Sequence, residues 1–202
     1  RMARASQFVI VPAFAPDYLF DASLDPRELS VPIQREPRIW PHESPTWSRA
    51  VGGHGFEDRP ADRGPGVPPR WARITFDGVY ARYRVRPDAE AGLVGSSYQV
   101  QLVYAHAQLC GEIYGQLGYH GPVRLYFRVR TAHDSVLCVP HGSPERRRLY
   151  PGDEVECAVM SDGASLRSNP DTVVKELMDR LWGEYGEERC WWFDKDGCLD
   201  LS

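Results

Sequence analysis

The chain has 202 residues, of which 42% are hydrophobic, 11% aromatic and 26% charged, and its formal net charge is −4. That composition excludes a disordered or fibrous chain. No stretch approaches the roughly 18 to 20 apolar residues of a membrane helix, and no global positive field recruits nucleic acid. The start, Arg1-Met2-Ala3-Arg4, lacks a signal-peptide apolar core. Five cysteines without a framework spacing read as reduced thiols, which places the expected setting in a cytoplasm.

In chain order, Gln7 to Val11 is a short apolar run closed by Pro12, the pattern of a buried strand. Ser23 or Asp25, followed by Pro26 and Glu28, fits the cap and first turn of a short helix. From Pro32 to Pro69 the texture is loop chemistry, with eight of the 17 prolines and several glycines. Trp40, Trp47 and Phe56 in that stretch predict an extension lying against the domain.

Trp71–Phe76 and Val79–Val85 flank Asp77-Gly78, a strong hairpin signal. Tyr98–Leu117 predicts a helix with Leu102, His106, Leu109, Ile113 and Leu117 on one face, and Gly118 stops it. Pro122–Arg130 alternates as a strand, with Val123, Leu125, Phe127 and Val129 on one side. Val136–Val139 and Glu154–Met160 read as further strands. Asn169-Pro170-Asp171 opens a second helix that turns Val174, Leu177, Met178, Leu181 and Tyr185 inward. Cys190–Phe193 and the turn Asp194-Lys195-Asp196-Gly197 predict a closing hairpin. The expected class is α+β, a mainly antiparallel sheet with two principal helices packed on it. Residues 1–69 are read as an N-terminal strand plus a Pro/Gly-rich ordered extension and 70–202 as the α+β core, together one domain.

Chemical motifs are sparse. The chain has no phosphate loop ending in Lys-Ser or Lys-Thr, no G-x-S-x-G elbow, no H-E-x-x-H and no paired CxxC. His133, Asp134, Cys138 and His141 form a weak candidate for a metal or hydrolase site, because Cys138 and His141 have a C-x-x-H spacing but lack evident companion ligands. No metal and no cofactor are therefore expected. The Asp194–Gly197 segment departs from a calcium loop at Trp192, where an acid is required, so a turn is the better reading. His106 on an apolar helix face reads as a satisfied core histidine.

Arginines on strands are the most distinctive pattern. Tyr80, Arg82, Arg84 and Arg86 share one face of their strand, and Arg124, Tyr126, Arg128 and Arg130 share one face of theirs. On neighbouring strands these would form one surface able to hold phosphates and stack bases. Against this stands a solvated face on which Glu154 and Glu156 neutralise the arginines in cross-strand pairs. Ala107, Gly111 and Gly115 make a smooth stripe along the first helix, an interface for another segment of this chain, another protein domain or a second copy.

From Trp71 onward, Arg73-Ile74-Thr75-Phe76-Asp77-Gly78, the long helix, Gly118-Tyr119-His120-Gly121-Pro122-Val123, Leu177–Trp182 and Cys190–Gly197 come in an order that resembles the region following the Schlafen-type AlbA-2 putative DNA-binding domain of bacterial proteins. The resemblance implies a non-enzymatic accessory domain of a regulatory or defence protein. Its expected partner is another domain or a second copy, and direct nucleic-acid contact by the isolated domain is not favoured.

Overall fold

The computed structural model describes residues 5–13, 48–49, 55–58, 70–75, 78–85, 93–130, 132–138 and 149–200. Seven strands form one antiparallel sheet in the order β2-β3-β4-β5-β1-β7-β9: β1 (Ala5–Pro12), β2 (Ser48–Arg49), β3 (Gly55–Asp58), β4 (Arg70–Thr75), β5 (Tyr80–Val85), β7 (Pro122–Arg130) and β9 (Glu154–Asp162). A small parallel pair joins β6 (Leu93–Val94) to β8 (Val136–Leu137). The helices are α1 (Ser97–Gln116), α2 (Gly163–Ser168) and α3 (Pro170–Glu184). The α+β class follows directly.

Cross-strand partners share a face of a sheet, so the register shows which residues line up. Phe56, Ile74, Tyr80, Ile10, Leu125 and Val159 form one continuous row across six strands. All six are buried. α1 and α3 lie on this face, against β1, β7 and β9. The core thus sits between helices and sheet, as the alternation of β7 predicts.

The β4–β5 hairpin turns at Gly78, whose φ of +86° is one that a glycine adopts without strain. Its amide donates to Thr75 O, and Thr75 N–H donates to Val79 O. α1 begins at Ser96, whose hydroxyl accepts the Gln99 amide. α3 begins with Pro at its first turn. Val174, Leu177, Met178, Leu181 and Tyr185 are buried as expected.

Two features differ from the sequence reading. A third, short helix, α2, connects β9 to α3, capped by Asp162, whose carboxylate accepts both the amide and the hydroxyl of Ser165. The closing hairpin shrinks to a single bridge, Phe193 to Leu199, around a turn in which Asp194 accepts the amides of Asp196 and Cys198. The short helix expected after Ser23, and Trp40 and Trp47, lie outside the described residues.

Candidate functional site

The structure separates the two arginine rows. β1 lies between β5 and β7, so the strands are not neighbours. Positions Tyr80, Arg82 and Arg84 pair with Ile10, Phe8 and Ser6, which in turn pair with Leu125, Phe127 and Val129. The β5 row therefore falls on the helix side of the sheet. Arg124, Tyr126, Arg128 and Arg130 alternate with those buried residues and fall on the outer side. The condition for a single arginine surface, neighbouring strands, is thus not met, and Arg86 lies outside the described residues.

On the outer face the arginines have carboxylate or aromatic company. Arg128 is bonded by Glu156, its direct cross-strand partner, and its Nε lies 3.1 Å from Glu154. The hydrogen bond to Glu156 is the main cause of a guanidinium pKa raised further above its ordinary value. Arg130 lies 3.7 Å from Glu154, and Arg124 sits over the Tyr126 ring with 4.9 Å to its centroid. This is the neutralised face of the competing reading. The described helices all lie elsewhere, which leaves Val9, Val11, Tyr126, Ala158 and Met160 as a band of apolar and aromatic groups among paired charges. Met160 is 56% exposed.

The stripe of Ala107, Gly111 and Gly115 is met from within the chain. A Cβ at Gly111 would come within 2.6 Å of the backbone at Leu166 and Arg167 of α2. At Gly115 it would meet only the Arg167 side chain, at 3.1 Å. Ala107 is fully buried. Of the occupants expected for this stripe, another segment of this chain is the one found against Gly111 and Gly115, where α1 and α2 are in close contact.

The His133, Asp134, Cys138 and His141 cluster is not assembled among the described residues. His133 and Asp134 form an exposed pair at 3.1 Å in a turn where Asp134 has φ +59°. Cys138 is half-buried, with its amide held by Val94 O, and His141 lies outside the described residues. No group of three or more His, Cys, Asp or Glu side chains placed to hold a metal occurs among the described residues. Burial pushes the Cys157 and Cys190 thiols up to about 12 and raises that of Cys110 as well, so none of the three is a nucleophile at neutral pH.

A cleft that sequence reasoning did not single out lies between the first half of α1 and the sheet. It is small, with about 20 Å³ of interior space, and is lined by Ser6, Phe8, Gln99, Leu102, Val103, His106 and Phe127. His106 is 4% exposed, its Nδ1 is hydrogen-bonded to the Tyr80 hydroxyl, and the two rings stack. Gln99 is 3% exposed. Its Oε1 accepts the Gly95 amide at 2.6 Å, while its Nε2 is buried without a partner.

Gly95 holds this end of the molecule together. Its carbonyl accepts the Trp192 indole N–H at 2.8 Å, its φ is +72°, and a Cβ there would lie 2.4 Å from the Trp182 ring. Only glycine satisfies both the backbone angle and the approach. The signal for Gln99 was present as Ser96-x-x-Gln99, a capping-box spacing that buries an amide at a helix start. Compared with known proteins, the chain matches no family model, no curated protein and no solved structure.

Proposed function

We propose that this chain is a non-enzymatic accessory domain that works by docking a protein partner on the outer face of β1, β7 and β9, in keeping with the resemblance to regions that follow AlbA-2 domains. The observation that carries the reading is the character of that face. Tyr126, Val9, Val11 and Met160 supply apolar and aromatic area, and Arg128 and Arg130 are already matched by Glu154 and Glu156. Paired charges around an aromatic centre suit a protein surface. Nucleic-acid binding needs cations free to neutralise phosphates and so displace the counterions condensed on them.

A photo-crosslinking side chain introduced at Met160 and expressed in the native host tests this. A discrete protein adduct is expected from position 160 and none from Arg180, on the exposed side of α3. Equal labelling from both positions, or none from 160, overturns the docking surface. Titration with a single-stranded oligonucleotide at low salt is expected to show no binding. Tight, steeply salt-dependent binding lost in Arg128→Glu would replace the proposal with direct nucleic-acid contact.

A further inference from the structure

We propose that the outer edge of β9 pairs antiparallel with β9 of a second copy of this chain, joining the two sheets across a two-fold axis. The inference rests on main-chain groups rather than on the side chains of the outer face, and it is independent of the docking partner proposed above.

The first observation is the edge itself. β9 closes the described sheet beyond β7, and its nine residues pair with β7 in one unbroken register. At the other end of the order, β2 has only two residues. Gly163, one step past the pair Pro122–Asp162, donates its amide to Gly121 O. Bonded pairs alternate along an antiparallel ladder. Val155, Cys157, Val159 and Ser161 therefore bond β7, while Glu154, Glu156, Ala158 and Met160 turn their main-chain groups away from it. Glu154 O accordingly accepts the Tyr150 hydroxyl. Among the described residues, no strand or loop backbone bonds the outward groups of Glu156, Ala158 and Met160.

The second observation is the lack of a guard. Sheet edges are kept apart by prolines, lysines, bulges or inward charges. Residues 154–162 contain no proline, glycine or lysine, and no bulge interrupts them. Their three acids are engaged elsewhere. Glu154 and Glu156 are drawn toward β7 by Arg128, and the Asp162 carboxylate caps α2. The centre of the edge, Ala158 to Met160, is left open.

Self-complementarity selects a second copy as the occupant. A two-fold axis at Val159 sets the exposed Met160 opposite the smaller, half-buried Ala158 of the second copy, and the reverse. Large meets small twice, and each pair exchanges both of its main-chain hydrogen bonds. The same axis sets Glu156 opposite Asp162, two acids already bonded by Arg128 and by Ser165. An edge pairing of this length is a small interface, so a Kd of roughly 10–100 μM is expected.

Sedimentation velocity of the purified chain, from about 1 μM to about 1 mM, tests this. Reductant keeps the exposed Cys198 from linking copies. A reversible dimer is expected, with exchange of the Glu156, Ala158 and Met160 amides slowing as concentration rises. Ala158→Pro removes an outward N–H that β7 does not use, and is expected to weaken the dimer about tenfold or more. Met160→Lys, at an exposed position, is expected to do the same and decides the matter if the proline disturbs the strand. A chain that stays monomeric throughout leaves the edge to a strand of another protein and overturns the proposal. So does a dimer that Met160→Lys leaves unchanged, or one that protects none of the three outward amides. Only the purified chain is used, so the result is separate from capture of a different protein by the outer face.

Discussion

The two halves of α1 meet the rest of the molecule in opposite ways. Toward its C-terminal end, Gly111 lets the α2 backbone come close enough that no side chain fits between them. Toward its N-terminal end, Gln99, Leu102 and His106 line a small cleft. One helix therefore carries both a rigid seam and an incompletely filled space. The contrast shows that residue size along a helix decides where a fold is sealed and where it is left open, even when both halves are equally buried.

The largest expected effect tests that contrast directly. Leu109 belongs to the main core and is 1% exposed, and Leu109→Ala is expected to cost about 2–5 kcal/mol in chemical denaturation. Leu102 lines the cleft, where neighbours can collapse into the vacated space, so Leu102→Ala is expected at about 2 kcal/mol. Equal losses at both sites would erase the distinction between the halves.

The seam itself comes next. Gly111→Ala drives a Cβ into fixed backbone and is expected to destabilise by about 1–3 kcal/mol despite the better helix propensity. Gly115→Ala meets only the Arg167 side chain, at 3.1 Å, which a shift of a few tenths of an ångström relieves, so a propensity gain of up to about 1 kcal/mol should survive. Opposite signs of the Tm change in two glycines one turn apart are the expected signature.

A smaller effect concerns the cap that holds α2 against the seam. Asp162→Ala is expected to cost about 1 kcal/mol. Hydrogen bonds from the Ser165 amide and hydroxyl lower the Asp162 pKa below its ordinary value. Its folded pKa is depressed, so its contribution is present above the unfolded value near 4 and is lost as pH falls through the folded one. Asp162→Asn keeps the cap and should remove this part of the acid sensitivity in pH-dependent melting. The smallest change is on the outer face, where Arg128→Ala is expected to cost under about 1 kcal/mol, and less at high salt, because the pair is exposed.

Elements with strong local period were legible in the sequence. The apolar face of α1, the alternation of β7 and the hairpin turn at Gly78 each depend on residues a few positions apart. The sheet order was not legible, because the place of β1 between β5 and β7 is set by pairings between distant segments. That one fact decided the arginine question. Period two fixes which residues of a strand share a side, but the side itself depends on register, and a slip of one residue would invert it. α2 escaped notice because six residues beginning with glycine carry too little periodicity to stand out, although Asp162-x-x-Ser165 marked its start. Gln99 and His106 were visible as polar groups on a helix, yet only the fold shows that they share a cleft.

The central position of β1 also constrains how the protein is made. Its residues leave the ribosome well before their partners on β7, which follow more than a hundred positions later, Ala5 pairing with Arg130. Until then both long edges of β1 cannot be satisfied in the native way. A pairing so distant in sequence is costly to close and sets a slow, late step in folding. During synthesis, an apolar strand such as Phe8-Val9-Ile10-Val11 is therefore the segment most exposed to wrong pairing and most in need of a chaperone.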